Sequence, residues 1–157
     1  MQLPLETVLR RGVVFLWPDY ARLDDPALKG QTKPKFIVIL SGSPLDDPLV
    51  YILTTSEKSK HERHPFPQDL FLIPADRYGF FPANTVIDAG ESGQLDVGRA
   101  EFVTLYEGGA VVYKGVLTDD DVAALVKVIL ASARVSRRFK QILTGRATPP
   151  FQSIPCE

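Results

Sequence analysis

The stretch TKPKFIVILSGSPLDDPLVYILTTSEKS, residues Thr32 to Ser59, decides the fold of this chain. Its two apolar runs predict strands over Lys35–Leu40 and Leu49–Thr55, joined by a turn-rich loop. Both runs are continuously apolar, which is typical of strands buried on both faces, as in a small closed barrel. A lysine and a proline precede the first strand, and three hydroxyl residues end the second. The stretch therefore predicts a barrel wall with polar chemistry at its ends.

The length and composition of the chain indicate one globular domain. Its 157 residues are enough to bury a core, and 45% hydrophobic with 24% charged residues is ordinary for such a domain. The net charge of −1 gives no whole-molecule argument for nucleic-acid binding. Binding of a polyanion would therefore need a local basic patch.

Cysteine usage and hydropathy favour a cytoplasmic protein without membrane contact. Cys156 is the only cysteine, so an intrachain disulfide and a cysteine-based metal site are both excluded. The longest apolar run, FIVIL, is far shorter than the roughly 18 residues of a membrane-spanning helix. The first residues, MQLPLETVLRRG, lack the pattern of a signal peptide.

Prolines and glycines between the apolar runs predict many short elements. A short helical turn is expected to pack Leu5 and Leu9 on the body. Further strands are predicted over Val13–Trp17, Leu70–Ile73, Thr85–Asp88, Glu101–Tyr106 and Ala110–Leu117. Pro18 should end the first of these strands or place it at an edge. Residues 90–98 are predicted to be loop, and Gly108-Gly109 a hairpin turn between the last two strands.

Thr118-Asp-Asp-Asp is the clearest helix start in the chain. An apolar stripe from Val122 to Ala133 follows, and we expect it to pack on the barrel. The three adjacent aspartates point in different directions on a helix, so a metal site is not favoured. A second apolar face ends at Gly145, and the basic residues from Arg134 to Lys140 are interpreted as its solvated side. Residues 1–145 are thus predicted to form one domain, with an extended or disordered tail over 146–157.

The order of these segments resembles that of the PemK/MazF-like toxins of bacterial toxin–antitoxin systems. RGVVFLW is similar to the opening glycine and strand of that family, and KPKFIVILS to its "Arg-Pro, apolar strand, Ser" segment. LVYILTTS resembles its second strand, which ends in Thr-Thr, and GVLTDDDVAALVKVI its acidic cap and amphipathic helix. The resemblance covers roughly residues 11–132 and rests on order and spacing.

This resemblance implies a mainly β, α+β fold: a compact SH3-like β-barrel with a C-terminal helix, usually homodimeric. It also implies a cofactor-free, metal-independent endoribonuclease that cleaves single-stranded RNA at selected sequences and is neutralised by an antitoxin protein. The catalytic arginine and threonine of the family correspond by position to Lys33 and Thr54. Lysine in place of arginine replaces a planar, bidentate phosphate fork with a titratable point charge.

The polar residues around this pair are the candidate substrate-binding groups. They are Arg22, Thr55, Ser56, Lys58, Lys60, His61 and Arg63. His61 and His64 offer an acid–base route of their own, although solvated loop histidines are the simpler interpretation. The spacing of HERH lacks the second ligand pair of a structural zinc site.

Aromatic residues between the basic groups are typical of single-strand binding. Tyr20, Phe80 and Phe81 are candidates for base stacking, with Tyr20 expected to be the most exposed and core packing favoured for each ring.

Two other functions fit the same sequence. The first is a catalytically weak or inactive PemK/MazF-like binding module, for example of the gyrase-poisoning type, which the lysine at position 33 favours. The second is an unrelated small β-barrel whose basic loop is only surface. A concave basic groove beside Thr54 would argue against this last function.

Overall fold

The computed structural model describes residues 2–21, 30–43, 45–56, 64–92 and 95–145 of the chain. In chain order, the helices and strands are α1 (Leu5–Val8), β1 (Val13–Tyr20), β2 (Lys33–Ile39), β3 (Leu49–Leu53), β4 (Leu70–Ile73), β5 (Thr85–Asp88), α2 (Ala89–Ser92), β6 (Leu95–Val97), α3 (Arg99–Glu107), β7 (Val112–Val116), α4 (Asp119–Ala131) and α5 (Arg137–Leu143). A 3₁₀ turn, Pro67–Asp69, leads into β4.

Strands β6, β3, β2, β1 and β7 form one antiparallel sheet in that spatial order. The predicted hairpin is confirmed: β2 pairs with β3, with Val38 opposite Ile52. Strands β4 and β5 coincide with their predicted ranges and form a separate two-stranded hairpin. The two sheets are linked by a backbone pair between Thr55 and Val86.

Pro18 does not end β1, and β1 is a central strand between β2 and β7. This differs from the prediction because β7 pairs with β1 only from Val13 to Leu16. Pro18 lies beyond this ladder, where the register of β1 against β2 shifts between Trp17 and Tyr20. The missing N–H of proline therefore costs β1 no bond to β7.

The segment predicted as a strand over Glu101–Tyr106 is helix α3. Phe102 and Tyr106, four residues apart, lie on one helix face and are buried against the sheet. Gly108-Gly109 ends this helix: Gly109 has φ 80°, and the Ala110 N–H donates to the carbonyl of Leu105. Tertiary packing here overrides the strand preference of FVTLY.

Two hydrophobic cores lie on opposite faces of the large sheet. The hairpin-side core contains side chains from the sheet, β4–β5, α4 and α5, including Val38, Ile52, Ile87, Ile129 and Phe139. The α3-side core contains alternating sheet residues with α1 and α3, including Leu5, Phe15, Trp17, Tyr51 and Phe102. Both faces of β2 and β3 are thus buried as predicted, because layers cover each side.

Helix α4 begins as predicted at Thr118, whose hydroxyl accepts the N–H of Asp121 at 3.2 Å. The helix ends at Ala131, and Ser136 caps the separate helix α5. The predicted loop over 90–98 contains part of α2 and strand β6, which sequence reasoning missed.

The α+β class is confirmed, with a mostly antiparallel sheet and surrounding helices. The SH3-like barrel stays a prediction. None of the helices within the described ranges has the length and apolar character needed to cross a bilayer.

Candidate functional site

An open cleft of about 160 Å³ lies where the ends of β2 and β3 meet the residues that precede β5. Its lining residues are Leu16, Lys33, Pro34, Lys35, Phe36, Thr54, Thr55, Ser56, Pro82, Ala83 and Thr85. The cleft therefore sits at the junction of the two sheets, which makes its shape depend on how they are joined.

That junction is a pair of backbone hydrogen bonds. The Thr55 N–H donates to the Val86 carbonyl at 2.9 Å, and the Val86 N–H donates to the Thr55 carbonyl at 2.8 Å. Thr55 is a cleft residue, and Val86 follows the cleft residue Thr85 in β5. The pair thus fixes the two walls of the cleft against each other.

Thr54 is held rigidly at the base of this arrangement. Its backbone N–H and its hydroxyl both donate to the carbonyl of Phe36, each at 3.1 Å. The residue is only 4% exposed, whereas Thr55 is half-buried and Ser56 is exposed. The Thr54 hydroxyl proton is used in the bond to Phe36, so toward any ligand its oxygen can act only as an acceptor.

Among the described residues that line the cleft, both charged side chains are cationic. Lys33 and Lys35 are half-buried at its β2 side, and no described lining residue is acidic. Lys33 is opposite Tyr20 in the β1–β2 ladder, which places it inside the strand and not before it. Ammonium and hydroxyl groups around a cleft favour a small oxyanion such as a phosphodiester.

The structure brings four of the predicted site residues to this one cleft: Lys33, Thr54, Thr55 and Ser56. The other predicted binding residues lie outside the described ranges; they are Arg22, Lys58, Lys60, His61 and Arg63.

Tyr20, predicted to be the most exposed of the three candidate stacking rings, is fully buried. That ranking is wrong, since Phe80 is the most exposed of the three rings, whereas the core packing favoured for Tyr20 is confirmed. Its hydroxyl shares a 2.9 Å hydrogen bond with that of Tyr51, and its ring packs edge-on against Trp17. Phe81 is buried and Phe80 half-buried, in agreement with the core packing favoured for them.

A second polar cluster, which sequence reasoning missed, lies at the far end of β5 from the cleft. Arg134 donates from Nε to Asp69 at 2.8 Å and from Nη2 to Asp88 at 2.5 Å. The two aspartates are 2% and 4% exposed, and Ser132 donates to Asp69 at 2.9 Å. Burial acts to lower the pKa of Arg134, but its bonds to both carboxylates raise it above the ordinary value.

The basic run predicts that Arg134 lies on the solvated side of a helix, and for this residue the prediction is wrong. Arg134 lies between α4 and α5 and inserts into a site that needs a glycine. A Cβ atom on Gly90 would lie 2.3 Å from Cζ of Arg134, so only glycine leaves room for the guanidinium. The Asp88-Ala-Gly sequence is the one local signal that could have located this site.

His64 belongs to the same cluster and is occupied at both ring nitrogens. Nε2 is 2.6 Å from Asp88, and Nδ1 accepts the N–H of Phe66 at 2.9 Å. Because Nδ1 accepts, the proton lies on Nε2 and is donated to Asp88. His64 thus has a structural role here and lies outside the cleft lining.

No protein-family model matches this chain, and no curated protein matches it. Within the described ranges, no group of three or more His, Cys, Asp or Glu residues is placed to hold a metal ion.

Proposed function

We propose that this protein is an endoribonuclease of the PemK/MazF type that cleaves single-stranded RNA at the Lys33–Thr54 cleft. The observation that carries the proposal is the meeting of Lys33, Thr54, Thr55 and Ser56 around one cleft. The proposal includes the SH3-like barrel of that family, in which β7 would remain beside the first strand, β1, as it lies here at one edge of the sheet. The Thr55–Val86 pair joins the second sheet to it.

The proposed reaction is a transesterification within the RNA strand. The ribose 2′-oxygen bonds to phosphorus, the bond from phosphorus to the 5′-oxygen breaks, and the products carry a 2′,3′-cyclic phosphate and a 5′-hydroxyl. The 2′-hydroxyl loses its proton to solvent water and the 5′-oxygen gains one from solvent water, so the step balances without a general base among the described lining residues. Lys33 stabilises the negative charge on the phosphorane, and the Thr55 and Ser56 hydroxyls donate to its oxygens. Thr54, fixed by Phe36, accepts a hydrogen bond from the ribose.

Incubation of the purified protein with single-stranded RNA in EDTA tests this reaction. We expect cleavage that Lys33→Ala lowers by about a hundredfold or more, because a positioned charge on the transition state is lost. Thr54→Ala should lower it too, and Lys33→Arg should retain or increase it because it restores a phosphate fork. Lys114→Ala, an exposed lysine on β7, is the control and should cleave at the wild-type rate. Absence of cleavage by the wild type would refute the proposed endoribonuclease activity.

The proposal also includes the other properties that the family resemblance implies. The protein would be a cytoplasmic homodimer without membrane contact or cofactor, and an antitoxin protein would neutralise it. A short neighbouring open reading frame that encodes a small acidic protein would support this part of the proposal. Co-expression of the two proteins would then abolish the cleavage.

A catalytically inactive binding module is the alternative, and the cleft lining favours it in one respect. The described lining residues include no histidine or carboxylate to act as a general base. In this case the protein would act by binding, for example on a gyrase-type target. Inhibition of DNA supercoiling by a protein that leaves RNA intact would establish this function.

A further inference from the structure

The C-terminal helices carry a marked excess of positive charge. Between Val122 and Gly145 the chain has five Lys or Arg residues and no Asp or Glu, although its net charge is −1. One of the five, Arg134, is neutralised by Asp69 and Asp88 inside the molecule. The other four, Lys127, Arg137, Arg138 and Lys140, remain on α4 and α5.

Helix α5 presents its three basic residues away from its packed side. Phe139 and Leu143, four residues apart, are buried and define that side. Arg137 and Arg138 are exposed, and Lys140 is half-buried. None of the three forms a salt bridge within the described ranges. Their charge is therefore turned outward without an internal carboxylate.

The positions of the two arginines cost the helix stability. Ser136 is the N-cap of α5, so Arg137 and Arg138 occupy its first two helical positions. Cations there oppose the positive end of the helix dipole, where acidic residues are preferred. Within the described ranges no salt bridge offsets this unfavourable placement, and a local preference broken in this way is typical of a functional position. The compensation would come from an anionic ligand.

The character of this surface indicates which ligand. Protein interfaces centred on arginine commonly add large aromatic anchors, and none of the exposed large hydrophobic side chains of the described residues lies within residues 119–145. A guanidinium group can donate two hydrogen bonds to one phosphate group. A nucleic-acid backbone carries many phosphates, so each such contact adds to the binding affinity.

We propose that Arg137 and Arg138, with Lys140, bind the phosphate backbone of an RNA strand outside the cleft. The choice of RNA as the ligand rests on the proposed function; the presence of a phosphate-binding surface does not.

The test compares two double variants that remove equal charge. One is Arg137→Gln with Arg138→Gln; the control is Arg10→Gln with Lys114→Gln, both exposed and distant in sequence. The probe is a labelled 20-nucleotide single-stranded RNA with 2′-O-methyl groups, which cannot undergo the proposed reaction. Its dissociation constant is measured from 50 to 200 mM salt. The α5 variant should fold normally, because its substitutions relieve the unfavourable dipole interaction.

We expect the α5 double variant to bind about tenfold more weakly and to lower the salt slope by about 1.4, which is about 0.7 for each lost phosphate contact on a single strand. The control double variant should lose much less affinity for the RNA. Equal losses in both variants would overturn the proposal, since they would show only a net-charge effect. Tighter binding of a poly-glutamate peptide than of the RNA would also overturn it.

The outcomes separate the two proposals. A protein that binds the RNA through α5 but cleaves no unmodified RNA refutes the proposed reaction and leaves this surface standing. A protein that cleaves, with affinity and salt slope unaffected by the α5 substitutions, refutes this surface alone.

Discussion

The environment of Arg134 in the structure differs from the one that its neighbours in the sequence predict. Arg134 begins a run of basic residues that is typical of a solvated helix side, yet it is bound to Asp69 and Asp88, which are 65 and 46 positions away. No periodicity in a sequence reports a partner at such separations. Lys33 and Thr54, in contrast, are paired by the family resemblance, and the antiparallel pairing of β2 with β3 brings both to one cleft.

Arg134→Gln tests the importance of this cluster. We expect the free energy of unfolding to fall by about 3 kcal/mol, because two buried carboxylates lose their cation. Urea denaturation measures the loss. Lys127→Gln, which removes an exposed charge from α4, is the control and should change stability by about 0.5 kcal/mol or less. A similar small change in both variants would contradict a structural role for Arg134.

At the scale of elements, prediction succeeded where local chemistry defines a boundary. Pro74 follows β4, and the Thr118 hydroxyl caps α4, and both elements begin or end as expected. It failed for α3, where FVTLY has the composition of a strand but Phe102 and Tyr106 need helical spacing to reach the sheet. The contact that decides this helix is made with distant strands, so a local pattern could not predict it.

The β4–β5 hairpin is fastened to the start of α4 by Tyr78, and this contact predicts an alkaline response. The Tyr78 hydroxyl donates to Asp121, and Arg77 donates to the same carboxylate at 2.7 Å. Burial, followed by the bond to Asp121, raises the pKa of Tyr78. In the unfolded chain a tyrosine loses its proton near pH 10, while folded Tyr78 still retains it.

Stability should therefore fall as pH rises above about 10, because ionisation favours the unfolded state. Tyr78→Phe has no proton to lose, so it should be less stable than the wild type at pH 7 but approach it at pH 11. Urea denaturation at pH 7, 9, 10 and 11 measures this gap. Since burial also raises the pKa of Tyr106, the variant should keep part of the alkaline decline. A gap that stays constant across this range would refute the role of Tyr78.

For the whole molecule, the sequence predicted one α+β domain with two buried strand faces, but not what covers them. Continuous apolar runs in β2 and β3 indicate burial on both sides, and a closed barrel and a sheet between two layers satisfy that pattern equally. The layers follow from α3 and the β4–β5 hairpin lying on opposite faces. The candidate cleft depends on that arrangement, because one of its walls belongs to the hairpin.

The placement of Trp17 in the α3-side core has a consequence for spectroscopy. It is the only tryptophan of the chain, is 7% exposed and lies 5.0 Å from the ring of Tyr20. Tryptophan fluorescence therefore reports on this core and not on the hairpin-side core, whereas circular dichroism reports on the helices, including α4 and α5.

Alternating residues of β1, β2 and β3 contribute to both cores, so we expect the two signals to give coincident denaturation curves. Separate midpoints would instead show that the α3-side core, which contains Trp17, unfolds independently of the hairpin-side core.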